Sequence, residues 1–224
     1  MVVLQNITTA KHMKLSNLFI SGCDSKTEWM LPWFLDTFRK HNKTPIHVFD
    51  FGMTEDMISR YPDVVLPLTG KKLSGWFNKP RAMFDALKIA DKVCWLDTDC
   101  EVVESIDDIF DKFENNKLSM VEDKPWSKRR GETWHNSGVV GMQNPIPFIL
   151  YEWVDRVSRY PNIGDQEVLH TLVRNGLNRL NYISDLPAEY NVLRLDYLDG
   201  TASKKPKINH WTGAKGKLHI RSLM

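Results

Sequence analysis

Two carboxylates one residue apart, Asp97 and Asp99, follow directly on the apolar run Val93-Cys94-Trp95-Leu96. A short unbroken apolar run is the pattern of a strand buried on both faces. Carboxylates at the end of such a strand lose hydration, and that loss must be offset by a positive charge nearby. A divalent cation with a preference for hard oxygen ligands, manganese or magnesium, supplies it. The plainer alternative for Asp97-Thr98-Asp99 is a turn or a cap, because so short a pattern often arises by chance.

Other residues could share that site. Lys79 and Arg81 open the segment that leads into the acidic strand and could offer cations to phosphates; otherwise they are exposed charges on a surface helix. Asn136 and the pair Asp165-Gln166 stand at element boundaries, where open α/β sheets gather ligand-binding groups. Asp165 could equally be a helix cap. His210 is followed by Gly213, Lys215, Gly216 and Lys217. A lone histidine is more often structural, but glycines that admit close backbone approach, together with lysines, suit a site for metal and diphosphate. Ser21-Gly22-Cys23-Asp24 follows a first apolar run and could meet a nucleotide or simply turn the chain. No GxGxxG accompanies it, which excludes the usual dinucleotide fingerprint.

The elements that must position these groups are legible in outline. Leu15–Ile20, Ile46–Phe49 and Val64–Leu68 read as strands ahead of the acidic one. Helical spacing predicts helices over Lys26–Lys40, over Thr54–Tyr61 with Thr54 as cap, and over Lys79–Ala90. Strand–helix alternation predicts an α/β fold with a mostly parallel sheet and helices on both sides. Ser105 to Asp108 has capping-box character, so Asp107 and Asp108 are read as first-turn residues and not as metal ligands. Leu118–Val121 and Asn136–Met142 are further strands. Between them Lys124–Gly131 is a basic, turn-rich stretch, read as a solvated loop or a flap over an anionic ligand. A helix is expected over Pro147–Tyr160, with Phe148, Tyr151, Val154 and Val157 on its apolar side. Another runs from Gly164-Asp165-Gln166 to about Arg174, and the tail beyond it is expected to be less regular. Trp126, Trp134 and His135 could stack on a sugar, or belong to rim or core.

Composition narrows the class. The 224 residues suit one large domain, with 42% hydrophobic and 26% charged residues, and the formal net charge of +2 gives no reason to expect a nucleic-acid partner. Cys23, Cys94 and Cys100 form no CxxC pair, which argues against a disulfide framework or a structural zinc and points to a reducing compartment. No apolar run has membrane-spanning length and no signal-peptide core is visible. The expectation is therefore a soluble, cytoplasmic protein, with residues 1–13 a flexible leader and 14–224 a single domain.

The segment NKPRAMFDALKIADKVCWLDTDCEVVESIDDIF, from Asn78 to Phe110, resembles the donor region of the glycogenin-like retaining glycosyltransferases of the GT-A fold. The later pieces NSGVVGM, GDQEVLHTL and H-x-x-G are similar to that family's remaining motifs and come in the same order, covering most of residues 78–217. The resemblance implies a single GT-A catalytic domain that transfers a hexose from a nucleotide-diphosphate sugar, usually UDP-linked, to a glycan or other hydroxyl acceptor, with retention. It implies manganese (or magnesium) bound by Asp97, Asp99 and His210. Donor contacts would come from Lys79, Asp97, Asn136, Ser137, Gly138, Gly213, Lys217 and Asp24, with Asp165 and Gln166 facing the transferring sugar near its anomeric carbon. One departure stands out. The family's lysine lies six residues after the histidine and precedes Pro-Trp; here that place is Gly216, no Pro-Trp follows, and Lys217 is the preferred substitute.

Two rivals share parts of this signature. Phosphatases of the haloacid-dehalogenase type use a D-x-D-x-[TV] strand end with an aspartyl nucleophile; here the fifth position is Glu101 and three predicted strands come first. A nucleotide-sugar-binding module without catalysis would keep the same residues and show binding without turnover.

Overall fold

The computed structural model describes residues 14–70, 72–160, 163–174 and 178–224. The leader expected over residues 1–13 lies outside them. In chain order the strands are β1 (Leu15–Cys23), β2 (Ile46–Asp50), β3 (Val65–Pro67), β4 (Ala90–Leu96), β5 (Cys100–Val102), β6 (Leu118–Glu122), β7 (His135–Gln143), β8 (Ile183–Asp185), β9 (Val192–Leu193) and β10 (Ile208–His210). The helices are α1 (Leu31–His41), α2 (Glu55–Arg60), α3 (Lys79–Ala86), α4 (Lys124–Arg130), α5 (Phe148–Arg159), α6 (Asp165–Arg174), α7 (Arg179–Tyr182), α8 (Arg194–Asp199) and α9 (Gly213–Leu223).

The main sheet has the order β3-β2-β1-β4-β7-β6-β8. Its pairings are parallel except those of β7, which runs antiparallel to both β4 and β6. The expected α/β architecture with a mostly parallel sheet is thus present. Val93 to Leu96 is buried on both faces, as its unbroken apolar run predicts. Val93 and Trp95 pack into the core shared with α3, α5 and α6, while Cys94 and Leu96 pack into the one shared with α1. That split follows from the period of two along a strand.

A small second sheet, β5-β10-β9, decides the site. β5 begins immediately after Asp99, and β10 lies antiparallel to it with His210 opposite Cys100. The backbone N–H of Trp211 donates to the Asp99 carbonyl at 3.0 Å. A residue 111 positions downstream is therefore brought to the acidic pair by three short strands.

Several expectations need correction. The stretch Lys124–Gly131 is not a loop: Lys124–Arg130 form α4 and Gly131 caps it. Asp123 caps it by accepting from the Trp126 N–H at 3.0 Å, proline stands in the first turn, and Gly131 closes it at φ 68°. Its terminal Lys128, Arg129 and Arg130 suit the negative end of the helix dipole. The capping box at Ser105 does not form. A 3-10 turn over Asp107–Lys112 begins instead after Ile106, whose N–H donates to the Asn42 side chain, and Asp107 accepts from the backbone of Lys43 and Thr44. Asp107 thus takes no part in the Asp97–Asp99–His210 group, as expected, but it is held by a long-range contact. On α5 the buried side is Ile149, Leu150, Trp153 and Val157, while Phe148 and Tyr151 are exposed. Aromatic type misled there: two helical stripes compete, and the one holding Trp153 meets the sheet. The tail is more regular than expected and carries α8, β10 and α9.

Candidate functional site

Asp97 leaves β4 with its backbone N–H still donating to the Gly138 carbonyl at 2.8 Å, so β4 and β7 deliver their polar residues to one sheet end. Its Oδ1 accepts from the Trp95 indole at 2.7 Å and pairs with Lys79 Nζ at 2.9 Å. Lys79 is 2% exposed and also meets Asp165 Oδ2 at 3.1 Å and the Ser137 carbonyl at 3.1 Å. Burial alone would lower its pKa, but Asp165 and Asp97 outweigh burial and hold the amine well above the lysine range. Ser137 Oγ donates to Asp165 at 3.0 Å, and the Ser137 N–H donates to Gln166 Oε1 at 3.0 Å. The start of α6 is pinned in turn by the Trp153 indole, which donates to the Asp165 carbonyl at 2.9 Å.

His210 Nε2 lies 3.1 Å from Asp99 Oδ1 and 3.8 Å from Asp97 Oδ2. One ligand atom from each of Asp97, Asp99 and His210 falls within 4.8 Å of the others. Burial disfavours charge on both partners. Even so, the attraction of Asp99 keeps the histidine raised, and His210 holds the Asp99 carboxyl below the usual carboxylate range. Two carboxylates and an imidazole converging without intervening bulk fit a manganese- or magnesium-type ion. Gly138 permits the approach, since a Cβ there would overlap the His210 ring.

The remaining expected residues border this cluster. Lys217, in the first turns of α9, brings Nζ to 3.7 Å from Asp99 Oδ2, whereas Lys215 is exposed. Gly216 packs so tightly on the backbone of Trp211 that a side chain there would collide with it, so this backbone leaves no room for a lysine six residues after His210. Gly213 opens α9 at φ 73°. Asp24 folds back on its own turn, accepting from Thr27 Oγ1 at 2.9 Å, and stands at the rim of a cleft of about 180 Å³. Gly22, Phe51, Trp95 and Lys217 line that cleft too. A second, more open cleft of about 230 Å³ carries Asn136, Ser137, Gly138, Asp165, Gln166, His210 and Gly213. Trp76, Lys79, Asp97 and Asp99 are common to both, so the acidic pair lies at their seam. Trp76 is 58% exposed on a turn clamped by Asn78, whose side-chain amide bonds Leu73 and Gly75.

Arg81 does not join the site; it stacks over Phe84 and borders a cavity of about 420 Å³ between α3 and α5. That cavity is larger, but none of its lining residues belongs to the Asp97–Asp99–His210 cluster. Trp134 is not available to a sugar, because His170 stacks on it at 3.7 Å and its exposure is only 7%. His135 is buried against Asp185 at 2.6 Å.

Sequence reasoning missed Asp123 and Asn191. Asp123 is 1% exposed, accepts from Asn136 Nδ2 at 3.2 Å, and lies 3.5 Å from Gln166 Nε2. Burial pushes its carboxyl up. A signal existed, since Asp123 closes β6 ahead of a proline-bearing first turn much as Asp97 closes β4. Asn191 donates to Asn136 Oδ1 and meets His210 Nδ1, both at 2.9 Å. It sits in a stretch with no periodicity to mark it.

No protein-family model and no curated protein matches the chain. Solved structures do. An active-site mutant of LgtC is 14% identical with TM-score 0.63, over 93% of this chain and 95% of that one. The apo form of the glycosyltransferase GlyE of Streptococcus pneumoniae TIGR4 is 19% identical with TM-score 0.64, over 89% of this chain and 55% of that one. The galactosyltransferase LgtC in complex with donor and acceptor sugar analogues is 15% identical with TM-score 0.57, over 89% and 88%. At such identities the likeness concerns fold, and the fold is the one these glycosyltransferases share, GT-A.

Proposed function

We propose that this chain is a glycosyltransferase that moves a hexose from a nucleotide-diphosphate sugar, UDP-linked, to a hydroxyl of a glycan or other acceptor. In this reading it resembles the glycogenin-like enzymes, works with retention at the anomeric carbon, and acts in a reducing, cytoplasmic setting, in keeping with three buried free thiols. The observation that carries the reading is the placement of Asp97 and Asp99 at the seam of two clefts, with His210 beside them and Lys79 tying Asp97 to Asp165. A seam with two carboxylates, opening on one side to amide, hydroxyl and carboxylate groups, suits the bond between diphosphate and sugar.

Asp97, Asp99 and His210 would hold manganese or magnesium, which when bound neutralises the diphosphate and stabilises negative charge on the leaving oxygen. Lys217, 39% exposed on the rim of the narrower cleft, adds a second positive charge to that leaving group. Asp24 bounds the nucleotide end. Ser137, Gly138 and Gly213 line the sugar end, where Asn136 has one amide hydrogen left to offer. Asp165 and Gln166 face the anomeric carbon, and the Asp165 carboxylate, paired with Lys79 and accepting from Ser137, answers the positive charge that develops on the sugar ring. A phosphatase of the dehalogenase type is not favoured, because the acidic strand is the fourth in sequence and its second carboxylate faces His210.

Thermal-shift measurement with a panel of nucleotide sugars, with and without manganese, tests the reading. UDP-hexoses are expected to stabilise the protein only with manganese, and not the Asp99→Asn variant. No stabilisation and no metal-dependent donor hydrolysis across the panel would overturn it.

A further inference from the structure

We infer that a relay of buried amides ending at Asp123 fixes the proton of His210 on Nδ1 and thereby aims Nε2 at Asp97 and Asp99 as a ligand. The inference rests on the proposed metal site and adds Asn191, Asn136 and Asp123 as positioning residues.

Donor and acceptor chemistry orients each link. The Gly138 backbone N–H can only donate, and it lies 2.9 Å from Asn136 Oδ1, so that atom is the amide oxygen. The Asn136 amide nitrogen then points to Asp123 Oδ2 at 3.2 Å, where a carboxylate accepts it. Asp123 is itself anchored by the Trp126 N–H at 3.0 Å. Asn136 Oδ1 takes a second hydrogen bond, at 2.9 Å, which must come from the amide nitrogen of Asn191. The Asn191 oxygen is therefore the atom that meets His210 Nδ1 at 2.9 Å, and because an amide oxygen only accepts, Nδ1 carries a proton. Nε2 is the nitrogen whose lone pair remains for a cation. Asp123, Asn136, Asn191 and His210 are each at most 8% exposed, so water does not compete for these bonds. Fixing the tautomer of a ligating histidine through its other ring nitrogen is how outer-shell groups tune metal affinity.

The tautomer can be read in the metal-free protein by long-range proton–nitrogen correlation of ¹⁵N-histidine in alkaline buffer, with the His210 signals assigned by their loss in His210→Gln. The Nδ1–H form is expected. In Asn191→Ala the Nε2–H form should appear, donating to Asp99, and manganese affinity measured by paramagnetic resonance should fall about 10- to 100-fold. Asn191→Asp, which still accepts from Nδ1–H, should keep the wild-type tautomer. Wild-type His210 found as Nε2–H overturns the inference, even if Asn191→Ala fails to fold. So does a folded Asn191→Ala with tautomer and affinity unchanged. Failure of the glycosyltransferase reading shows separately, as the absence of any nucleotide-sugar effect, and leaves the tautomer measurement intact.

Discussion

At the scale of single residues, Lys79 holds the site's charges together. Two carboxylates, Asp97 and Asp165, and the Ser137 carbonyl converge on an amine that is 2% exposed. Such a triad gains little net stability over an apolar replacement of the whole set, yet removing one partner leaves the others buried and uncompensated. Lys79→Met is therefore expected to cost about 3–5 kcal/mol. For a chain of this size that corresponds to a melting temperature lower by roughly 10 °C. Calorimetry checks it, and manganese should restore part of the loss, because a cation beside Asp97 compensates the same charge. Asp97, Asp99, Asp165 and Lys79 could all be picked from the sequence as chemistry-bearing residues. That the lysine would serve carboxylates before phosphates could not, because only the crossing of α3 over the ends of β4 and β7 sets that distance.

At the scale of elements, α9 shows how packing decides which positions can carry a side chain at all. The helix begins at Gly213 directly after β10 and lies so close to the turn before it that Gly216 touches the Trp211 backbone. A lysine is excluded there, and Lys217, one residue on, brings its amine to 3.7 Å from Asp99. Gly216→Ala should push the first turn of α9 away at a cost of roughly 1–3 kcal/mol. Lys217 should move from Asp99 with it. Thermal unfolding of Gly216→Ala beside Lys215→Ala tests this: the exposed Lys215 change should be close to neutral, within about 0.5 kcal/mol. The helix α4 carries a related lesson. Asp123, a proline and Gly131 specify it locally, and these caps outweigh the run of charges that would suit a solvated loop or a flap.

At the scale of the whole molecule, the metal-free protein should carry a pH signature. The His210 pKa in the fold lies above the ordinary histidine value of 6.5, since Asp99 and Asp97 outweigh burial. The pairing of protonated His210 with Asp99 therefore stabilises the fold fully below that value, and the contribution is lost as pH rises through the raised pKa. Asp99 is lowered from 3.8 despite its burial, so its contribution is present above that value and lost as pH falls through its folded pKa. The His210 share of the metal-free melting temperature, read as the difference between wild type and His210→Gln, should accordingly decline from mildly acidic toward alkaline pH, while His135 and His170, lowered by burial, act in the opposite sense in both proteins. The increment added by manganese should grow over the same range, since a ligating imidazole must give up the proton on Nε2. Thermal shifts across pH, with and without manganese, measure both trends.

The amino-acid sequence by itself determined the local pieces: a doubly buried strand ending in Asp97-Thr98-Asp99, the alternation of strands and helices, Thr54 as the cap of α2, and the start of a helix at Asp165. These follow from short-range chemistry, in which period, capping and desolvation act within a few residues. The tertiary structure alone decided which stripe of α5 faces the sheet, the antiparallel course of β7, and the small sheet that sets His210 against Asp99. It also joined Asp123, Asn136 and Asn191 into one chain of hydrogen bonds. Those contacts link residues from 13 to 111 positions apart. Their partners are chosen by how the layers pack, and no local pattern in the sequence encodes that.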